Sequence, residues 1–196
     1  MDLGVAEMHP DNQVAARAAD SMVNWPSIGA EEFENLQFDQ FCHDENFHRE
    51  ISRLTVKERL THMTLHFAKY SGYLANDPDD LRLRRTITDL FVIGLSTLNG
   101  LNVRAHPLVT EIGQIEDTSR SALARRVAIL AGEMASACER LDHLEEFPYR
   151  QTLQGAAATM VALALSAAEA RQWSMPLLVK ERLQRVKEKS IFYGRL

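Results

Sequence analysis

The feature that most restricts how this chain can fold is a helix bracketed by its own start and stop signals. Thr55-Val-Lys-Glu58 has the form of a capping box, in which the threonine hydroxyl accepts from the third backbone N–H and the glutamate reaches back. Leu60, Met63, Phe67, Tyr70 and Leu74 then recur at helical spacing. Asn76-Asp77-Pro78-Asp79 ends the segment, because proline cannot continue the hydrogen-bond ladder. Asp79 or Asp80 caps a following helix that runs to Asn99-Gly100, where glycine is expected to take the left-handed cap conformation. No segment alternates in the manner of a strand, and no β-branched runs flank a hairpin dipeptide. The pattern predicts an all-α protein, an antiparallel helical bundle.

Further helices are expected over 12–22, 30–47, 107–115, from Thr118 or Ser119 to Phe147, over 150–172, and from Ser174-Pro176 to Lys189. Phe33, Leu36, Phe41 and Phe47 should supply the apolar contacts of the 30–47 helix. The order of elements suggests an internal duplication. Thr88–Leu98 can be laid over Ala158–Ala168, so that Ile93, Leu95 and Ser96 match Leu163, Leu165 and Ser166. Pro107-Leu-Val-Thr-Glu111 then falls near Pro176-Leu-Leu-Val-Lys-Glu181. The expected organisation is an N-terminal helical arm (1–53), a first helical repeat (54–117) and a second, more degenerate one (118–196).

A net charge of −5 argues against a dedicated nucleic-acid binder, whose affinity would rest on a basic surface. The basic groups at Arg82, Arg84, Arg85 and over 180–189 lie beside acids and read as solvated helix faces. Cys42 and Cys138 are far apart and fit free thiols of a reducing cytoplasm. No secretory signal is apparent, and the Ala-rich stretch 155–168 is too short to span a membrane and reads as a closely packed buried helix.

Several residues carry chemistry. His62, His66 and Lys69 stack on one stripe of the capped helix, at the edge of its apolar face. Two imidazoles one turn apart can share a zinc ion, and Asp89 on the next helix could complete the set. Asp89 also stands four residues after Arg85, so an intrahelical ion pair is the alternative to a ligand role. Glu45-Asn-Phe-His48 has the spacing of half a di-iron motif, but no second copy exists. His43-Asp44 is the dipeptide of HD phosphohydrolases and no more than that.

With these residues in view, the chain resembles the MazG-like, all-α nucleoside triphosphate pyrophosphatases. The resemblance covers roughly 54–103 and, weakly, 124–189. It is carried by Thr86-Ile-Thr-Asp89-Leu-Phe-Val-Ile-Gly-Leu-Ser-Thr-Leu-Asn-Gly-Leu-Asn-Val103, which is similar to the family's acidic ExxD helix, and by the basic ending 180–189. In that family EExxE and ExxD clusters hold magnesium against the substrate's phosphates. Here His62, Met63 and His66 fall on the three glutamate positions, Thr86 replaces the glutamate of the second motif, and Asp89 alone remains. The resemblance implies magnesium or manganese as cofactor, whereas imidazoles favour zinc. It implies Asp89, His62 and His66 as metal ligands and Lys69 and Arg85 as contacts to substrate phosphates. Two functions follow as expectations: a MazG-like nucleotide-binding protein that works as a metal-dependent nucleoside triphosphate pyrophosphohydrolase with an eroded site, or a non-catalytic helical module that associates with itself or with a larger assembly.

Overall fold

The capping box is made in full: the Glu58 N–H donates to Thr55 Oγ1 (3.3 Å) and the Thr55 N–H to Glu58 Oε2 (3.0 Å). Asp79, Ser119 and Ser174 each cap the helix that follows them through a side-chain oxygen. The computed structural model describes residues 25–191, 193 and 194. The expected helix over 12–22 lies outside them. Among the described residues there are eight helices and no strand: α1 (Ala30–Phe47), α2 (Arg49–Ser52), α3 (Val56–Ala75), α4 (Asp80–Gly100), α5 (Ala105–Ile112), α6 (Arg120–Asp142), α7 (Tyr149–Glu169) and α8 (Met175–Lys187).

α5 begins two residues before the expected Pro107 and ends at Ile112, not 115, and α8 ends at Lys187, not 189. Three other helix ends share one device. α4 continues through Gly100, and the left-handed residue is Asn102 (φ 53°). Leu144 (φ 55°) and Gln172 (φ 57°) play the same part after α6 and α7. In each case a backbone N–H reaches back over the helix end: Val103 to Leu98 O, Glu145 to Arg140 O and Trp173 to Ala168 O, at 3.0, 3.1 and 2.9 Å. This is the Schellman arrangement, here built without glycine. The expected extension of α6 to Phe147 is therefore cut short. Gly100 serves packing instead: a Cβ there would lie 3.3 Å from Arg59 Cδ.

The apolar stripe of α3 is buried as its spacing predicts, with Leu60, Met63, Phe67, Tyr70 and Leu74 all in the interior. α3 and α4 form one hairpin, α6 and α7 another. α3 packs most extensively on α6, and α4 on α7, so the four helices close into a ring. The α4–α7 approach is close because α7 is rich in alanine. Ala157, Ala162, Ala164 and Ala167 are fully buried, and a Cβ on Gly94 would meet Val161 Cγ2 at 2.4 Å. Fully burying residues such as Phe67, Phe91, Leu95 and Leu163 contributes about 1.5–3 kcal/mol each.

The remaining helices cross between hairpins. α5, which follows α4, lies on α7, and α8, which follows α7, lies on α4. α1 packs across α4, α5 and α8, so the part of the arm from Ala30 belongs to the bundle. One correction concerns its faces: Phe33 and Leu36 are buried, but Phe41 is 43% exposed and stacks on exposed Phe38. No helix among the described residues is long and apolar enough to cross a membrane.

Candidate functional site

The helical period that buries Phe33 and Leu36 carries on to Gln40, His43 and Asp44, and all three are buried. A buried carboxylate requires compensation. Asp44 Oδ2 accepts from Arg59 of α3 (3.0 Å) and from the Ser96 hydroxyl of α4 (2.5 Å), and Oδ1 accepts from Gln40 Nε2 (2.9 Å). Arg59 also donates to Ser96 Oγ at 3.1 Å. Burial raises the Asp44 pKa, against the opposing pull of Ser96, Arg59 and Gln40. The network ties α1, α3 and α4 together. Three buried polar atoms around it find no partner: Gln40 Oε1, His43 Nδ1 and Arg59 Nε.

Above this floor is a cavity of about 280 Å³. His62, His66, Lys69 and Asp89 all line it, joined by His43, Asp44, Tyr70, Arg182 and Lys189. Met63, Val92, Ile93, Leu183 and Val186 supply its apolar wall. The stripe on α3 and the acid on α4 thus face one space.

Within it the α3 stripe and Asp89 are already engaged. Lys69 Nζ lies 3.1 Å from His66 Nδ1. An ammonium can only donate, so His66 Nδ1 accepts and the ring carries its proton on Nε2. That N–H points at His62 Nε2, 3.1 Å away. Burial, helped by the charges of Lys69, His62, His48 and Arg182, lowers the His66 pKa to about 4, so the ring is neutral at pH 7. Burial likewise lowers His43 to about 4. Tyr70, 3.3 Å from His66 Nδ1, is held well above the usual phenol range by burial and by the Asp89 charge.

Asp89 is paired with Arg182 of α8: Nε lies 2.5 Å from Oδ1 and the second guanidinium nitrogen, Nη2, 3.3 Å from Oδ2. Both oxygens are taken by one guanidinium in a fork geometry. The Arg85–Asp89 ion pair, the alternative raised by the sequence, does not form. Burial works against the Arg182 charge, but the Asp89 hydrogen bonds and charge outweigh it and raise the Arg182 pKa. Arg85 instead lines an adjoining cleft of about 460 Å³ with Lys69, Arg82, Arg182, Arg185 and Lys189. Asp89 and Glu188 are the acids of that cleft. Arg82 sits over the Tyr73 ring (4.5 Å), and neither Arg85 nor Arg185 has a carboxylate within ion-pair distance among the described residues.

A divalent ion does not fit this arrangement as it stands. It would have to displace Arg182 from Asp89 and reverse the His66 tautomer against the Lys69 ammonium. Thr86, where the resembled motif has a glutamate, is buried and donates to Arg82 O (2.8 Å). No group of three His, Cys, Asp or Glu side chains among the described residues is placed to hold a metal ion. The Glu45–His48 spacing leads nowhere: Glu45 is exposed and His48 pairs with Glu50 at 3.2 Å.

Sequence reading missed the Asp44–Arg59–Ser96 network and the role of Arg182. The first left a trace, since polar residues at 40, 43 and 44 continue an apolar helical stripe. The second left none, because Arg182 lies 93 residues from Asp89 in a run of charge. Comparison with protein-family models, with curated proteins and with solved structures finds no match to this chain.

Proposed function

We propose that this protein binds a phosphate-bearing nucleotide in the α3–α4–α8 cavity, without the hydrolytic metal machinery that the MazG-like resemblance would bring. One observation carries this reading: a part-open, largely apolar cavity adjoins a cleft in which six cations face two acids. The cleft suits the phosphates, since Lys69, Arg85, Arg185 and Lys189 offer charge-assisted hydrogen bonds. The cavity suits the base, with an apolar wall and with Gln40 and His43, whose Oε1 and Nδ1 are unpartnered, among its lining residues. Lys69 and Arg85 keep the phosphate-contact roles that the resemblance implies. Asp89, His62 and His66 line the site but serve to orient Arg182 and Lys69.

A duplicated MazG-like origin is part of the same reading. The two hairpins end in the same motif seventy residues apart, with Leu98–Val103 answering Ala168–Trp173, and α5 and α8 cross reciprocally. The second reading, a module that associates with itself, is favoured by the exposed, stacked Phe38 and Phe41. Sedimentation of wild type against Phe38→Ser would test it.

Calorimetric titration with nucleoside mono-, di- and triphosphates, alongside a pyrophosphate-release assay, tests the main reading. The expected result is saturable binding that weakens with salt, no pyrophosphate release, and about tenfold weaker binding in Lys69→Ala, or roughly 1.4 kcal/mol. Absence of binding by every nucleotide would overturn it.

A further inference from the structure

We infer that the Arg182 guanidinium does the work of a divalent cation, bridging Asp89 to a phosphate of the ligand. The inference rests on the phosphate-binding reading above and goes past it, by saying how a lone acid can help bind an anion.

A carboxylate facing a phosphate is repulsive unless a cation lies between them. In metal-dependent sites the ion takes carboxylate oxygens on one side and phosphate oxygens on the other. Arg182 has the same topology. Its Nε and Nη2 grip the two oxygens of Asp89 along one edge of the planar group. A guanidinium has five N–H bonds, so this grip leaves the two on the other terminal nitrogen, Nη1, and one on Nη2. No protein acceptor within hydrogen-bond distance takes these among the described residues. The Arg182 side chain borders both the cavity and the basic cleft, and it is 34% exposed while Asp89 is 16% exposed. The acid is the covered partner, and the guanidinium is the one that faces incoming ligand.

The charge balance agrees. Asp89 with Arg182 is neutral as a unit, so the attraction for an anion comes from Lys69, Arg85, Arg185 and Lys189 around it. Asp89 acts as a positioning residue: it fixes the plane of Arg182, so little side-chain freedom is lost when a phosphate docks. His66 holds Lys69 from the other side, and His62 backs His66.

The test uses the full chain and inorganic pyrophosphate as probe, titrated calorimetrically in EDTA and in manganese chloride. Wild type should bind at least as tightly in EDTA as in manganese. Arg182→Gln should bind at least tenfold more weakly in EDTA. It should also regain affinity in manganese, because Asp89 is now open to the ion, and Arg182→Gln/Asp89→Asn should lose that gain. Manganese alone should shift the melting temperature of Arg182→Gln and leave wild type unmoved. Wild-type binding that appears only in manganese would overturn the bridge while leaving the phosphate reading in place. Unchanged affinity of Arg182→Gln in EDTA would do the same. If pyrophosphate and nucleotides bind in neither buffer, both readings fall. The wild-type comparison stands even if a variant fails to fold.

Discussion

The two hairpins solve the same packing problem with opposite materials. α7 presents small apolar side chains on almost every side, and its Ser166 takes a loop N–H from Ile115 at 3.0 Å. α4 has Ser96 at the matching place near its end, but there the hydroxyl joins a buried ion pair with Asp44 and Arg59. Thr159 stands where Asp89 would be by the overlay and donates only to Gly155 O, within its own helix. The apolar hairpin fills its space. The polar one leaves a cavity, because charged groups that must be hydrogen-bonded cannot also interdigitate like hydrocarbon.

The sharpest way to break this contrast is to remove the carboxylate beneath the cavity. Asp44→Ala leaves the Arg59 charge buried and unpaired, and should lose about 3–5 kcal/mol in denaturant unfolding. Ser166→Ala in the other hairpin should lose only about 1 kcal/mol. Equal losses would mean that the two hairpins are held alike. Next comes the seam between them. Gly94→Ala places a methyl against Val161 Cγ2 and should lose about 1–3 kcal/mol, with Val161→Ala restoring part of it in a double-mutant cycle.

The smallest effect, over the step from pH 7 to 6, is titration. His43 and His66 have folded pKa values of about 4 against an ordinary 6.5, so the unfolded chain takes up protons first as pH falls. Stability is at its upper level above pH 6.5, declines as pH drops toward 4, and levels off below that as the folded rings protonate. Between pH 7 and 6 the loss should be on the order of half a kcal/mol per histidine, and His43→Phe should flatten the slope. Asp44 has the opposite sign, its raised pKa making the folded state the earlier proton acceptor at lower pH.

What could be read from the residues followed the range of the forces involved. Capping and helical periodicity act over a single turn, so the starts of α1, α3, α4, α6 and α8 were legible, as was the burial of the α7 alanines. Helix ends were less so, since Asn102, Leu144 and Gln172 adopt left-handed backbone without being glycine. The stripe of His62, His66 and Lys69 and its meeting with Asp89 could be anticipated, because two consecutive capped helices joined by a short turn must lie together. The partner of Asp89 could not. Arg85 was near in sequence, and only the folding back of α8 puts Arg182 closer in space.

That folding back has a consequence for the order of events in making the protein. The acid of the cavity emerges from the ribosome 93 residues before the arginine that neutralises it, and α8 follows all the other described helices in chain order. Until α8 has been made, Asp89 has no Arg182 to pair with. The pair that neutralises Asp89 can therefore form only after α8 has been made and has packed back on α4.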